Sequence, residues 1–242
     1  MSVALHRSDL EDSIAAYIQE RLPMAAMDVV FDVGANHGWF TYLFLQHYPQ
    51  AHYYLFEPVA SIHAECYTNL SKFPIFCEER TLISRLALSS TDGQGMITAE
   101  PDVTVNHLVM ASPSAETKPA IGGPPTESVP LCTGAGFCQR HGINRIHFLK
   151  IDCEGHDLEV LRGFEPMLAI GAVDFVQVEC SVSSTAPTAS FLQPWVQVDA
   201  LLRGYGYELF RFTNQASDDL PFLARADVVW IHRSAAEACL KA

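Results

Sequence analysis

The chain has 242 residues, 49% of them hydrophobic, and a formal net charge of −13 at pH 7. This length and apolar content suffice for a sizeable core within one domain spanning residues 1–242. The acidic balance argues against phosphate backbones and anionic lipid surfaces as partners, so we expect the chain to bind neither nucleic acid nor membranes.

Cysteine usage and the lack of long apolar runs bear on the compartment. The seven cysteines are odd in number, scattered and without a C-x-x-C pair, which is typical of reduced thiols in a cytosolic protein. No signal-peptide pattern is present, and no apolar run approaches the ~20 residues of a membrane span. We therefore expect a cytoplasmic protein, with its oligomeric state left open, a homodimer included.

The first half of the chain alternates helical and strand patterns. A capping-box spacing from Ser8 to Glu11 begins a predicted helix over residues 9–22, before Pro23. A buried strand in "MDVVFDVG" leads directly to a helix over residues 38–47. There follow a strand "AHYYLFEP", a helix "VASIHAECYTNLSKF", a strand "TLISRLALSS", and an exposed hairpin formed by "GMITAE" and "VTVNHLVM".

The second half opens on a change of composition. Residues Ala111–Pro130 are rich in Pro, Gly, Ser and Thr, which predicts an insertion or lid loop rather than a helix or central strand. A strand "RIHFLKID", a helix "DLEVLRGFEPML", a strand "AVDFVQVECS" and a helix "FLQPWVQVDALLRGYG" follow. The strands "YELFRFT" and "ADVVWIHR" end the pattern, joined by a link too short for a crossover helix.

This alternation predicts the fold class. Strands alternating with helices indicate an α/β protein with a doubly wound, mostly parallel sheet of the Rossmann-like kind. The helix-free link between the last two strands adds an antiparallel C-terminal hairpin. Ligands of such sheets bind at the carboxyl ends of the strands, where connections diverge to opposite faces.

The turn after the first strand carries the clearest binding signal. It reads Asp32-Val-Gly34-Ala-Asn36-His-Gly38, which departs from the dinucleotide pattern G-x-G-x-x-G by placing an acid before the turn and an asparagine at the middle glycine. A carboxylate would repel a pyrophosphate but attract an ammonium and a sulfonium. Glu57 ends the next strand, where a carboxylate can accept both hydroxyls of a ribose. Together they favour S-adenosylmethionine over NAD.

Four segments resemble one family. "VFDVGANHGWFT", "LFEP", "LALSS" and "FLKIDCEGHDLEVLRG" are similar to the FkbM family of S-adenosylmethionine-dependent methyltransferases, over roughly residues 28–212. The resemblance implies a class I methyltransferase fold and O-methylation of a hydroxyl on a sugar, polyketide or peptide natural product. It implies that Asp32, Gly34, Asn36, Gly38 and Glu57 bind the cofactor, and it places Asp152 and Glu154 on the family's acidic block. We expect Ala35, within the glycine turn, and Asp152 to bind the cofactor as well.

Methyl transfer to a hydroxyl requires a general base, because an alcohol must lose its proton as it attacks a methyl group. If the strand "RIHFLKID" continues far enough, Asp152 and Glu154 lie on one face of it, at the cofactor's rim. Glu154 is the leading candidate, with His156 as an alternative, and Glu179 either faces the acceptor or caps a turn. The acids and a histidine also allow an oxygen-rich magnesium site. A protein that binds the cofactor without catalysis is a further alternative.

Two departures from the family pattern leave the acceptor open. Asp157 stands where the family often has a glutamate, and "LCTGAGF" replaces the usual leucine-aspartate helix start. We expect both to lie where the acceptor binds. The class of acceptor therefore cannot be carried over, beyond the expectation of a small molecule.

Overall fold

The computed structural model describes residues 13–99, 106, 108–109 and 125–241. Strands, numbered in chain order, form two sheets in this part of the chain. The main sheet contains β1 (Val29–Val33), β2 (His52–Phe56), β3 (Thr81–Ser84), β8 (Ile146–Ile151), β9 (Val173–Ser181), β11 (Tyr207–Ala216) and β12 (Arg225–His232), and the short β10 (Gln193–Pro194) pairs with β9. The smaller sheet contains β4 (Ala87–Ser89), β5 (Gly93–Thr98), β6 (Leu108–Val109) and β7 (Thr126–Thr133).

The order of the main sheet is β3-β2-β1-β8-β9-β12-β11. The strands from β3 to β9 run parallel, and β12 is antiparallel to both of its neighbours. The chain builds outward from β1 to β3 and then returns to build outward from β8, so the connections diverge between β1 and β8. The predicted doubly wound sheet with an antiparallel C-terminal pair is confirmed.

Helices cover both faces of the main sheet. They are α1 (Ile14–Arg21), α2 (Trp39–His47), α3 (Ala60–Leu70), α4 (Gly134–His141), α5 (Asp157–Gly163), α6 (Glu165–Leu168), α7 (Trp195–Gly204) and α8 (Arg233–Lys241), with 3₁₀ turns at Glu78–Arg80 and Pro187–Ser190. Successive strand residues point to opposite faces. Phe31 thus packs into one core with Leu149 and Trp230, while Val30 packs into the other with Phe148 and Val229.

The smaller sheet differs from the predicted pattern. The strand predicted over "TLISRLALSS" is split: β3 closes the edge of the main sheet, whereas β4 leaves it and pairs in parallel with β7. The predicted hairpin is present in part, because β5 and β6 pair antiparallel. Apolar side chains of this sheet, including Ile97 and Val129, pack against Val59 and Ile62 at the start of α3. The smaller sheet therefore flanks the end of β2.

The prediction of a loop over residues 111–130 is wrong at its C-terminal end. Residues 126–130 belong to β7, which lies between β4 and β5 and is therefore a central strand of its sheet. Pairing with β4 and β5 on either side, with Val129 and Cys132 buried, outweighs the turn-forming composition. Residues 111–124 of the predicted loop, and residues 9–12 of the predicted N-terminal helix, lie outside the described residues.

Helix boundaries shift at prolines. The helix predicted over residues 157–168 is divided into α5 and α6, because Pro166 has no backbone N–H to donate within a continuous helix and instead occupies the first turn of α6. Pro194 likewise precedes α7, which begins at Trp195 rather than at residue 191. The pattern did not predict α8. Among the described residues, none of the helices has the length and apolarity needed to cross a membrane.

Candidate active site

The glycine turn after β1 is shaped by the packing of the chain against itself. Gly34 has φ +73°, and a Cβ there would lie 1.9 Å from the carbonyl oxygen of Asp152, where the end of β8 passes. Gly38 has φ +86°, and its Cβ would lie 3.0 Å from Leu70 Cγ. Both positions require glycine for backbone conformation and close approach. The packing of the turn thus explains both glycines, and their role in binding the cofactor stays a prediction.

A buried ion cluster lies beneath the turn. Asp32 is fully buried and accepts a hydrogen bond from Thr41 Oγ1 at 2.7 Å. Lys150 Nζ lies 3.2 Å from Asp32 Oδ1 and 3.3 Å from Asp152 Oδ2, and it donates to the Gly34 carbonyl at 2.8 Å. Burial alone would lower the pKa of Lys150, but the carboxylates of Asp152 and Asp32 more than offset this and raise it. The cation that Asp32 meets is thus Lys150, and the predicted direct contact of Asp32 with a ligand is corrected.

Glu57 closes the end of β2 over the same turn. Its Oε2 accepts from the Asn36 N–H at 3.0 Å and its Oε1 from the Val59 N–H at 2.9 Å. The N–H groups of Gly34 and Ala35 donate to the Phe56 carbonyl at 3.0 and 3.1 Å, so the turn is tied to β2. Burial raises the pKa of Glu57 to about 7, although both amides favour the ionised form. Each carboxylate oxygen keeps a lone pair for a further donor.

A cavity of about 660 Å³, part of it open to solvent, lies beside Glu57. Its polar lining includes Asn36, Glu57, Asp152, Glu154 and His156, and no lysine or arginine is among the described residues that line it. Its apolar lining comes mainly from the end of β2, α3 and the smaller sheet, including Phe56, Ile62, Leu86, Leu88, Ile97 and Leu108. An apolar wall joined to a few converging polar groups is typical of a small-molecule site.

The turn after β8 presents Glu154 to this cavity. The strand ends at Ile151, so the expected strand alternation of Asp152 and Glu154 is wrong, yet both line the cavity. Glu154 has φ +49°, and within the described part of the chain its carboxylate forms no hydrogen bond or ion pair. Burial raises its pKa to about 7, with contributions from Asp152 and Glu179.

His156 and Asp157 follow Glu154 and have different partners. His156 Nε2 lies 3.0 Å from Ser89 Oγ, and burial lowers the pKa of this imidazole, which favours the neutral ring. Asp157 is buried and accepts from the N–H groups of Cys153 and Gly155 at 2.9 and 3.2 Å. Asp157 thus holds the turn, and the expectation that it contacts the acceptor is corrected.

Comparison with known proteins decides the family. The model of the methyltransferase FkbM domain matches residues 32–209. The chain belongs to the FkbM family. It is accordingly an S-adenosylmethionine-dependent methyltransferase with a class I fold. None of the curated proteins is significantly similar to this FkbM methyltransferase in sequence.

Solved structures resemble the chain at low sequence identity. Precorrin-6y C5,15-methyltransferase from Geobacter metallireducens GS-15 is 9% identical, with a TM-score of 0.48 and coverage of 90% of this chain and 86% of that one. The methyltransferase domain of bacterial CtHen1-C is 12% identical, with a TM-score of 0.49 and coverage of 92% and 98%. The glycopeptide N-methyltransferase MtfA with sinefungin is 13% identical, with a TM-score of 0.46 and coverage of 91% and 86%.

Glu179 lies next to the site of this FkbM methyltransferase but does not line its cavity. Its Oε1 accepts from Arg225 Nη1 at 2.7 Å, and Arg225 Nε lies 3.2 Å from Asp218 Oδ1. Asp227, opposite Glu179 in β12, accepts from Gln177 Nε2 at 3.0 Å. Glu179 therefore forms an ion pair beside the cavity, and these contacts give no support to its predicted role as a catalytic residue facing the acceptor.

The acids do not form a ligand cluster for a metal. Among the described residues, no group of three or more His, Cys, Asp or Glu side chains is placed to hold a metal ion. Asp152 is engaged by Lys150 and Glu179 by Arg225. The alternative of a magnesium site built from Asp152, Glu154, Glu179 and a histidine thus finds no preformed geometry.

The structure brings most of the predicted residues to one rim. Of the predicted residues, those that line the cavity are Gly34, Asn36, Glu57, Asp152, Glu154 and His156. Asp32, Ala35 and Gly38 are buried and do not line it. Sequence reasoning missed Lys150, although a lysine inside the apolar run "HFLKI" is an unusual residue for a buried strand. It also missed the apolar wall contributed by the smaller sheet, which no local motif indicated.

Proposed function

We propose that this methyltransferase transfers the methyl group of S-adenosylmethionine to a hydroxyl oxygen of a small-molecule acceptor, with Glu154 as the general base. The observation that carries the proposal is the state of the cavity's carboxylates. Glu57 is held by two backbone amides and Asp152 by Lys150, whereas Glu154 has no such partner among the described residues. Glu154 is the carboxylate left available to take a proton.

The lining of the cavity fits the cofactor in its charge and in its apolar wall. Glu57 would accept the ribose hydroxyls, the apolar wall that includes Ile62 and Ile97 would cover the adenine, and Asp152 would face the methionyl ammonium. The cofactor carries a sulfonium, and among the described residues that line the cavity the charged side chains are all carboxylates. A diphosphate would find no lysine or arginine among these described lining residues, which supports the methyl donor over NAD.

Hydroxyl acceptors are favoured because of what the residues can do. The cofactor supplies an electrophilic methyl group together with its leaving group. The protein must then align the acceptor, exclude water and remove a proton from a neutral alcohol. Glu154, with a pKa raised to about 7, is largely ionised slightly above neutral pH and basic enough to accept that proton. The net charge of −13 supports a small molecule over a nucleic acid as acceptor.

His156 is the competing base, and its contacts favour another role. Its Nε2 is engaged with the Ser89 hydroxyl, which lies at the end of β4 in the smaller sheet. The imidazole therefore helps to join the Glu154 turn to the apolar wall. Only its other ring nitrogen, Nδ1, could take an acceptor proton while this contact is kept.

The test is a transfer screen with S-adenosylmethionine labelled with tritium in the methyl group. Sugars, polyketide-like alcohols, hydroxyl-bearing peptides, amines and thiols are offered as acceptors, and the bond formed in each labelled product is determined by NMR. The proposal predicts label in methyl ethers or esters of hydroxyl compounds. Label confined to nitrogen or sulfur would contradict it. Calorimetric binding of the cofactor with no transfer to any class would favour the non-catalytic alternative.

A further inference from the structure

The turn that carries Glu154 has an unusual backbone. Two consecutive residues, Glu154 at φ +49° and Gly155 at φ +92°, have left-handed conformations. A glutamate is uncommon there, because its Cβ crowds the backbone. Such a conformation persists only when the surrounding structure holds it. The groups that hold this turn therefore determine where the Glu154 carboxylate lies.

One set of contacts that restrain this turn comes from residues next to it, at the start of α5 and at the end of β1. Asp157, at the start of α5, accepts from two of the turn's N–H groups, at Cys153 and Gly155. The Asp152 N–H donates to the Val33 carbonyl at 3.0 Å. These contacts restrain the donors of the turn. The Gly155 carbonyl must therefore find a hydrogen-bond donor outside this set of contacts.

The second set comes from the connection between β9 and α7. Gln193 Nε2 donates to the Gly155 carbonyl at 3.0 Å. A Cβ on Gly155 would lie 2.4 Å from the Phe191 carbonyl oxygen, so this connection passes directly over the turn. Gln193 is itself fixed, because β10 pairs with β9 with Gln193 opposite Cys180. The half-buried Gln193 side chain thus bridges β9 and the Glu154 turn.

We infer that Gln193 is a positioning residue for Glu154: its side-chain amide clamps the Gly155 carbonyl and so keeps the Glu154 carboxylate at the cavity. This inference rests on the proposed function, in which Glu154 is the base. A shift of about 1 Å in a reacting group lowers turnover by up to ~10²-fold without any change in the chemistry available. Loss of the clamp should therefore lower kcat far more than cofactor affinity, because Glu57 lies at the end of β2 and Asp152 stays held by Val33 and Lys150.

The variants are chosen to keep the shape of the side chain. Gln193→Met has nearly the same length but no N–H, and Gln193→Glu has the same shape but an ionised carboxylate that cannot donate. Gln197→Met is the matched control, because Gln197 is exposed on α7 four residues away. The readouts are cofactor affinity by calorimetry, kcat with the acceptor that the tritium screen identifies, and titration of the Glu154 carboxyl by ¹³C NMR. The Glu154→Gln protein assigns that resonance.

The groups around Glu154 give the two variants opposite expected titrations. Burial, Asp152, Glu179 and Asp157 raise the pKa of Glu154, and Lys150 lowers it. In Gln193→Met the released turn exposes the carboxylate to water, so its pKa should fall towards the usual value. In Gln193→Glu a further negative charge lies beside the turn, so the pKa should rise. A role limited to general stability would not produce opposite shifts.

We expect kcat to fall by roughly 10–100-fold in both Gln193 variants, with the cofactor Kd within about twofold of the parent and Gln197→Met unchanged. Parental kcat and parental Glu154 titration in Gln193→Met would overturn the inference. If that protein does not fold, the same two readouts on Gln193→Glu decide. Failure of the proposed function gives a different result, since Glu154→Gln would then keep parental turnover.

Discussion

Replacement of Glu57 by glutamine tests how the cavity holds its cofactor. The carboxylate accepts from the Asn36 and Val59 amides and is only 6% exposed. In Glu57→Gln one end of the side chain becomes an NH₂ group that faces a backbone N–H. One of these hydrogen bonds is lost and a donor is left unpaired, which costs about 1–3 kcal/mol. Removal of a buried charge offsets part of that cost, so we expect a folded protein.

The effect on binding should be larger than the effect on folding. Loss of a charge-assisted hydrogen bond to a ribose hydroxyl costs about 1.5–3 kcal/mol, which is a rise in Kd of roughly 10–150-fold. Isothermal titration calorimetry with S-adenosylmethionine and S-adenosylhomocysteine measures this directly. Glu20→Gln is the matched control, because Glu20 is an exposed glutamate on α1, away from the glycine turn. The control should bind as the parent does.

The pH dependence of binding gives the Glu57 assignment a second test. Burial raises the pKa of Glu57 to about 7, and the ribose hydroxyls would donate to its ionised form. Cofactor affinity of the parent should therefore rise roughly tenfold from about pH 6 to about pH 8 as this form becomes populated. Glu57→Gln should lose that dependence. Parental affinity at pH 8 in a folded Glu57→Gln protein would refute the assignment of Glu57 to the ribose.

The remaining predictions concern stability. Gly34→Ala should unfold the protein or lower its free energy of unfolding by more than about 3 kcal/mol, because the new Cβ would lie 1.9 Å from a carbonyl oxygen. Gly142→Ala, with φ +67° and nothing within 4 Å of the new Cβ, should lower it by only about 1 kcal/mol in urea unfolding. Equal losses in the two variants would refute this prediction. Lys150→Met should lower the free energy of unfolding by about 3–5 kcal/mol, because it leaves a buried aspartate without its cation. A loss below about 1 kcal/mol in the same assay would contradict the stabilising role of the ion cluster. Burial raises the pKa of Glu57 to about 7 and of Asp157 to about 6, so both carboxyls bind protons more tightly in the folded state, and their contribution to the free energy of unfolding should fall as pH rises from about 5 to about 8. A free energy that rises over this range would show that other groups dominate.

The sequence predicted best what local pattern determines. An acidic residue stands at or near the carboxyl end of each of β1, β2 and β8. The alternation of strands and helices predicts that these ends meet at one edge of the sheet, so the sequence placed Glu57, Asp152 and Glu154 at the same rim. What each acid contacts was not predictable, because it depends on side chains from distant strands. Glu179 pairs with Arg225 of an antiparallel neighbour, 46 positions along the chain.

The smaller sheet shows the same limit at the level of the fold. Residues 126–130 form a strand because β4 and β5 offer hydrogen-bonding edges on either side, and those edges arise only once the chain leaves the main sheet after β3. Composition alone predicted a loop there. Lys150 was missed for a related reason, since its two aspartate partners come from β1 and from the turn after β8.

The role of Glu154 is tested most directly by one comparison of turnover. Single-turnover methyl transfer to the identified hydroxyl acceptor is measured for Glu154→Gln and His156→Ala, each with and without EDTA, at cofactor concentrations above Kd. The account predicts that Glu154→Gln is slower by ~10²–10⁴-fold, with cofactor affinity within about threefold of the parent, because the base is lost and the cavity is kept. It predicts a smaller effect for His156→Ala and none for EDTA. Near-parental turnover in Glu154→Gln together with loss in His156→Ala would contradict it, as would loss of parental turnover in EDTA that magnesium restores.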